Sequence, residues 1–95
     1  MSRHILDELI DEAVFVALKA HRLAFDKVGD GFGISGWSDE HLLQALHGSR
    51  KTFHTRDYGF YHRSYGHSSY GIVYYDVPLA EMTVYIRRFL RHPQF

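Results

Sequence analysis

The chain predicts an α+β fold, and three features of the sequence carry that reading. Residues 3–28 combine apolar spacing of helical period with acids early and bases late. Residues 50–76 are rich in aromatic residues and are cut by glycines into pieces of strand length. Residues 78–91 return to an amphipathic helical pattern. The expected architecture is a long N-terminal helix and a short second helix packed on a small three-stranded antiparallel sheet, closed by a C-terminal helix. A β-hairpin strand is the alternative for the last element.

The first helix is expected over 3–28, with Ser2 as cap, acids at 7, 8, 11 and 12 near its positive end, and Gly29 as its stop. From Ala13 to Leu18 it is apolar on every side, which calls for enclosure. The row Ala13, Ala17, Ala20 and Ala24 would admit a second helix closely. These residues, with His21 beside them, predict a homodimer or higher homo-oligomer through this helix. His21 at that contact would make assembly sensitive to pH near 6.

Residues 29–37 form a Gly-rich loop. Residues 38–47 read as the second helix, with Ser38 as N-cap, Leu42, Leu43 and Leu46 inward and Gly48 as stop. Strands are expected at 51–56, 59–65 and 69–76. In 78–91, Leu79, Met82, Ile86, Phe89 and Leu90 share one helical face, Pro78 suits a first turn and Pro93 closes the element.

Length and composition fit one domain, 1–95. With 45% hydrophobic and 16% aromatic residues the chain is not a disordered tail. No apolar run reaches the roughly 18 residues a membrane span needs. The acids near the start break up any signal-peptide core, so a cytoplasmic protein is expected. With zero Cys there are no disulfides, thiolate nucleophiles or Cys-bound zinc. Net charge is +0, yet residues 1–48 hold four basic against eight acidic residues, and 49–95 hold seven against three. That split suits an acidic helix docked on a basic sheet better than a nucleic-acid binder, which would be basic overall.

Gly31-Phe32-Gly33-Ile34-Ser35-Gly36 spells G-x-G-x-x-G. A dinucleotide site needs that string after a strand and before a helix. Here it is expected after a helix, with Asp39 and Glu40 repelling an anion, so it reads as a flexible turn beside a pocket. The eight histidines show no H-x-x-x-H pair. His54, His62 and His67 are the one grouping the expected sheet brings near each other, and neither a metal nor a cofactor is expected.

Eleven of the twenty-three residues from Phe53 to Tyr75 are Phe, Tyr or His. Strand alternation over 59–65 puts Tyr61, Arg63 and Tyr65 on one face and Phe60 and His62 on the other. Arg between two phenols suits a carboxylate or phosphate, and the rings suit a planar group. The expected ligand-binding set is His54, Tyr61, His62, Arg63 and Tyr65, with Phe32 from the Gly-rich loop. The leading expectation is a small binding or interaction module of unspecified function that self-associates and takes a small-molecule ligand. The alternative is a metal-independent RNA-cleaving nuclease using His, Tyr and Arg. Ile72–Tyr75 and Thr83–His92 together resemble, over about twenty residues and without an invariant motif, the closing hairpin of mRNA-cleaving toxins of toxin–antitoxin pairs. That resemblance implies the nuclease alternative.

Overall fold

The computed structural model describes residues 3–64 and 69–91, with the backbone alone for 63 and 64. Its elements are β1 (His4–Leu6), α1 (Glu12–Ala20), β2 (Phe25–Val28), β3 (Gly31–Phe32), α2 (Asp39–Leu46), β4 (Thr52–Thr55), α3 (Tyr58–Ser64), β5 (Gly71–Tyr74) and α4 (Met82–Arg91), the last preceded by a 3-10 turn at Leu79–Glu81. The five strands form one parallel sheet in the order β3-β2-β1-β4-β5. Ile5 stands opposite Asp26 on one side and Phe53 on the other. Phe53 in turn stands opposite Ile72.

This overturns the three-stranded antiparallel sheet and the helix over 3–28. That stretch is β1-α1-β2, a crossover unit. A parallel strand buried on both faces shows a short apolar run rather than alternation. Ile5-Leu6 is such a run, and a strand of only three residues sits easily inside a helical pattern. Asp11 starts α1, its side chain accepting from the Ala13 N–H at 2.8 Å. Asp7 and Glu8 therefore lie before the helix. Ser2, expected as the cap, is outside the described residues. The strand expected over 59–65 is overturned: Tyr58–Ser64 form α3, and residue 65 is outside the described residues. The α2, β4 and β5 expectations stand within a residue or two at each end; the last helix, expected from 78, begins as a 3-10 turn at Leu79 and becomes α4 only at Met82. Because 82–91 is helix, the hairpin alternative fails, and with it the structural basis of the toxin resemblance.

β3 is not reached by a crossover. Only Gly29 and Asp30 separate it from β2, where ordinary parallel pairs need a dozen or more residues. The chain spirals tightly instead, with Lys27 N–H donating to Asp30 C=O and Gly29 N–H to Phe32 C=O, both at 2.9 Å.

Each sheet face has its own core. On one, Leu6 and Phe25 pack with Val14, Phe15 and Leu18 of α1 and with Met82 and Ile86 of α4. On the other, Ile5, Val28 and Phe53 pack with Leu42 and Leu46 of α2 and with Phe60 of α3. The result is three layers, helix on sheet on helix. α1 leaves β1 toward one face and α3 leaves β4 toward the other. β1 and β4 are neighbours, so the chain's crossovers part between them. Open parallel sheets bind ligands in the crevice at the carboxyl ends of such a strand pair. Among the described residues no helix is long and apolar enough to cross a membrane.

Candidate functional site: an acidic crevice between β1 and β4

At that parting the sequence places Asp7 directly after β1 and Asp57 two residues after β4. Asp7 is 8% exposed. Its N–H donates to His54 C=O at 2.9 Å, which ties it to β4. Its Oδ1 accepts the Leu9 N–H at 3.1 Å and its Oδ2 accepts the Thr55 hydroxyl at 2.7 Å. Thr55 Oγ1 accepts in turn from the Asp57 N–H at 2.9 Å. One buried hydroxyl thus clamps the two loops together and fixes both acids.

Asp57 also opens α3, with Oδ1 accepting the Phe60 N–H at 3.1 Å. A short polar side chain at a helix start commonly does this. Capping uses one carboxylate oxygen and leaves the other available. Burial, first of all, pushes the Asp7 carboxyl above the usual carboxylate range, and the Asp57 and Glu8 charges push the same way. The Thr55 and Leu9 hydrogen bonds oppose that shift. Among the described residues no Lys or Arg forms an ion pair with Asp7 or Asp57; Lys27 pairs with Glu12 at 3.0 Å.

A crevice of about 200 Å³ opens here, lined among others by Asp7, Glu8, Trp37, Asp39 and Asp57. A second hollow of about 210 Å³ shares Asp7, Leu9 and Asp57 and adds Arg56. The two acids form the ridge between the hollows. Arg56 is exposed, and its Nε donates to Val77 C=O at 3.2 Å. Among the described residues no three His, Asp or Glu side chains stand together as a ready metal cage. Two carboxylates with room around them suit Mg²⁺, which keeps several waters and takes its remaining ligands from substrate phosphate.

The Gly-rich loop forms one wall. Contrary to expectation, a strand precedes it; the helix that follows it was expected. Its amide does hold an anion, but that anion is Glu8: Oε1 accepts the Gly36 N–H at 3.0 Å and Oε2 accepts the Ser35 hydroxyl at 2.8 Å. Gly33 sits at φ 64°, and a Cβ there would lie 2.7 Å from the Trp37 ring. Only glycine fits that turn, which sets Trp37 at the crevice.

The residues expected to bind ligand are not gathered in one place. His54 is fully buried mid-sheet, within 3.0 Å of His4 Nδ1 through Nε2 and 2.7 Å of the Tyr75 hydroxyl through Nδ1. Desolvation, aided by His4, holds it neutral, with its pKa pushed down to about 3. Burial also lowers His4 and raises Tyr75. Tyr61 and His62 lie exposed on α3, where Tyr61 stacks on Tyr74 and His62 on Tyr58. Arg63 is on the same helix. Phe32 packs edge-on to Trp37 by the Gly-rich loop. Tyr65 and His67 lie outside the described residues.

Of the expected oligomer residues, Ala13 and Ala17 are on α1, while His21 and Ala24 follow its end. The small-residue row is therefore not continuous. Val16 is 58% exposed within a nine-residue helix. α1 is therefore not a helix that needs enclosure on all sides.

The sequence reading missed Asp7 and Asp57. Ile5-Leu6-Asp7 carried a signal, a short apolar run ending in Asp; Phe53-His54-Thr55-Arg56-Asp57 is mostly polar and carried no such signal. Comparison of this chain with protein-family models, with characterised proteins and with solved structures finds no match.

Proposed function

We propose that the crevice between β1 and β4 binds a divalent cation and, with it, hydrolyses phosphate esters. The observation that carries this reading is the pairing of Asp7 and Asp57 at the carboxyl ends of two adjacent parallel strands, where the crossovers part, with no described Lys or Arg paired to either. Two carboxylates that raise each other's cost of ionisation favour a cation between them. A bound cation would supply an acidified water and charge for the phosphate.

The chain's own groups take the remaining roles. Asp7 and Asp57 would hold the cation, which would itself acidify the attacking water. Thr55 fixes the Asp7 carboxylate for that role. Arg56 faces the phosphate from the rim. One P–O ester bond breaks, leaving an alcohol and a phosphate with one ester fewer.

The test is hydrolysis of a nitrophenyl phosphodiester and of single-stranded RNA by the purified chain with Mg²⁺ or Mn²⁺, and with EDTA. Metal-dependent turnover that disappears in Asp7→Asn supports the reading. Turnover that persists in EDTA favours the metal-independent nuclease instead. No turnover and no metal binding leaves the fold as a binding module only.

A further inference from the structure

We propose that β5 is a docking edge for a second copy of this chain, which adds its own β5 in antiparallel register. Among the described residues the sheet ends at β5. In the β4–β5 ladder, Gly71 N–H donates to Lys51 C=O and Tyr75 N–H to Thr55 C=O, both at 2.9 Å. Successive residues of a strand point their peptide groups to opposite sides. Ile72 and Tyr74 therefore turn N–H and C=O outward, and among the described residues nothing bonds them. Proteins usually blunt such an edge with Lys, Pro or a bulge. Gly71-Ile72-Val73-Tyr74 carries none of these. The opposite edge needs no such protection, because β3 has only two residues.

The edge is also shaped. A groove of about 400 Å³ runs beside β5, between Tyr61 of α3 and Phe89 of α4, over Ile72, Val73 and Tyr74. Tyr74 is fixed by rings on one flank: Tyr61 stacked and Tyr58 edge-on, each at 5.5 Å. Outward peptide groups in an apolar groove fit an extended strand.

A second copy is the occupant that the register favours. Antiparallel pairing about Val73 sets Ile72 opposite the copy's Tyr74. Each copy's outward N–H groups then meet the other's outward C=O groups. The arrangement is identical from either side, as a two-fold interface requires. β5 has no charged residue to meet its like across the axis. The surface differs from the α1 face considered in the sequence, and it does not depend on the crevice chemistry.

Sedimentation equilibrium of the full chain from 5 to 500 µM tests this, using Tyr74→Pro and Tyr74→Phe. Proline at 74 removes an outward N–H and spares the ladder to β4. The expected result is a two-chain mass for the wild type and Tyr74→Phe at the upper concentrations, and a one-chain mass for Tyr74→Pro with an unchanged circular-dichroism spectrum. A one-chain wild type at 500 µM overturns the proposal, as does a folded Tyr74→Pro that still pairs. If Tyr74→Pro fails to fold, amide exchange of the wild type decides. Ile72 and Tyr74 should be protected at high concentration and lose protection on dilution; concentration-independent exchange overturns it.

Discussion

β1 and β4 carry two polar clusters, and they have opposite characters. His4, His54 and Tyr75 form a chain in the interior, against Phe25 and Phe89. Every buried side-chain nitrogen and oxygen among the described residues has a partner. Burial keeps these groups neutral. A few residues along the same strands, Asp7, Thr55 and Asp57 stand at a crevice. There the hydrogen bonds fix the acids without neutralising them, and burial and like charge raise Asp7. A satisfied neutral network holds a core together. Crowded acids at an opening cost stability and are what a cation-binding site requires.

Four substitutions or conditions would break or sharpen that contrast. The largest effect is expected at the crevice. Asp57→Asn keeps a helix-capping oxygen but removes the charge, so metal-dependent hydrolysis should fall at least about 100-fold, or about 2.7 kcal/mol in the barrier. Its urea midpoint should hardly move. Steady-state rates and an unfolding curve on one preparation read both.

At the buried cluster the pattern should invert. His54→Leu keeps bulk but strands the Tyr75 hydroxyl in the core. It should cost about 2–3 kcal/mol of stability, while turnover per folded molecule stays at the wild-type level. A His54→Leu protein as stable as the wild type would show that the network is dispensable.

pH separates the clusters by sign. The pKa of His54 is about 3 when folded and near 6.5 when unfolded. Its contribution is complete above pH 6.5 and is lost as pH falls toward 3, by up to about 1.4 kcal/mol per unit. Asp7 is raised, so its contribution is present at low pH and is lost as pH rises through its folded value. Denaturant midpoints from pH 8 to 4 should therefore fall less steeply in His54→Leu than in the wild type.

The smallest effect is expected at Glu8. Glu8→Ala releases Ser35 and Gly36 and should cost about 1 kcal/mol. Faster amide exchange at Gly36 would locate the loss in the Gly-rich wall.

The sequence made α2, α4 and two of the strands legible because each carries a local signature. Ser38 caps α2, the spacing from Leu79 to Leu90 is helical, and Gly71-Ile72-Val73-Tyr74 is a plain strand run. The first thirty residues hid their strands for a physical reason. β1 spans three residues, all of them paired with neighbours distant in sequence, so nothing local distinguishes His4-Ile5-Leu6 from a helical turn. The acids after β1 then looked like the first turn of a helix. α3 failed differently. Tyr58-Gly59-Phe60-Tyr61 has the composition of a strand, and the Asp57 cap and the docking of Phe60 on Phe53 outweigh that propensity. With both errors in place, Asp7 and Asp57 were far apart and the crevice could not be seen. The aromatic residues drew attention because they are numerous, but most of them hold helices and sheet together.

The central claim is that the crevice takes a divalent cation between Asp7 and Asp57. Calorimetric titration of Mn²⁺ into the wild type and into Asp7→Asn/Asp57→Asn, at pH 8 and low salt, tests it most directly. The account predicts one site in the wild type, a folding midpoint that rises with added Mn²⁺, and at least tenfold weaker binding in the double variant. Equal binding in the two proteins, or none in either, would contradict it.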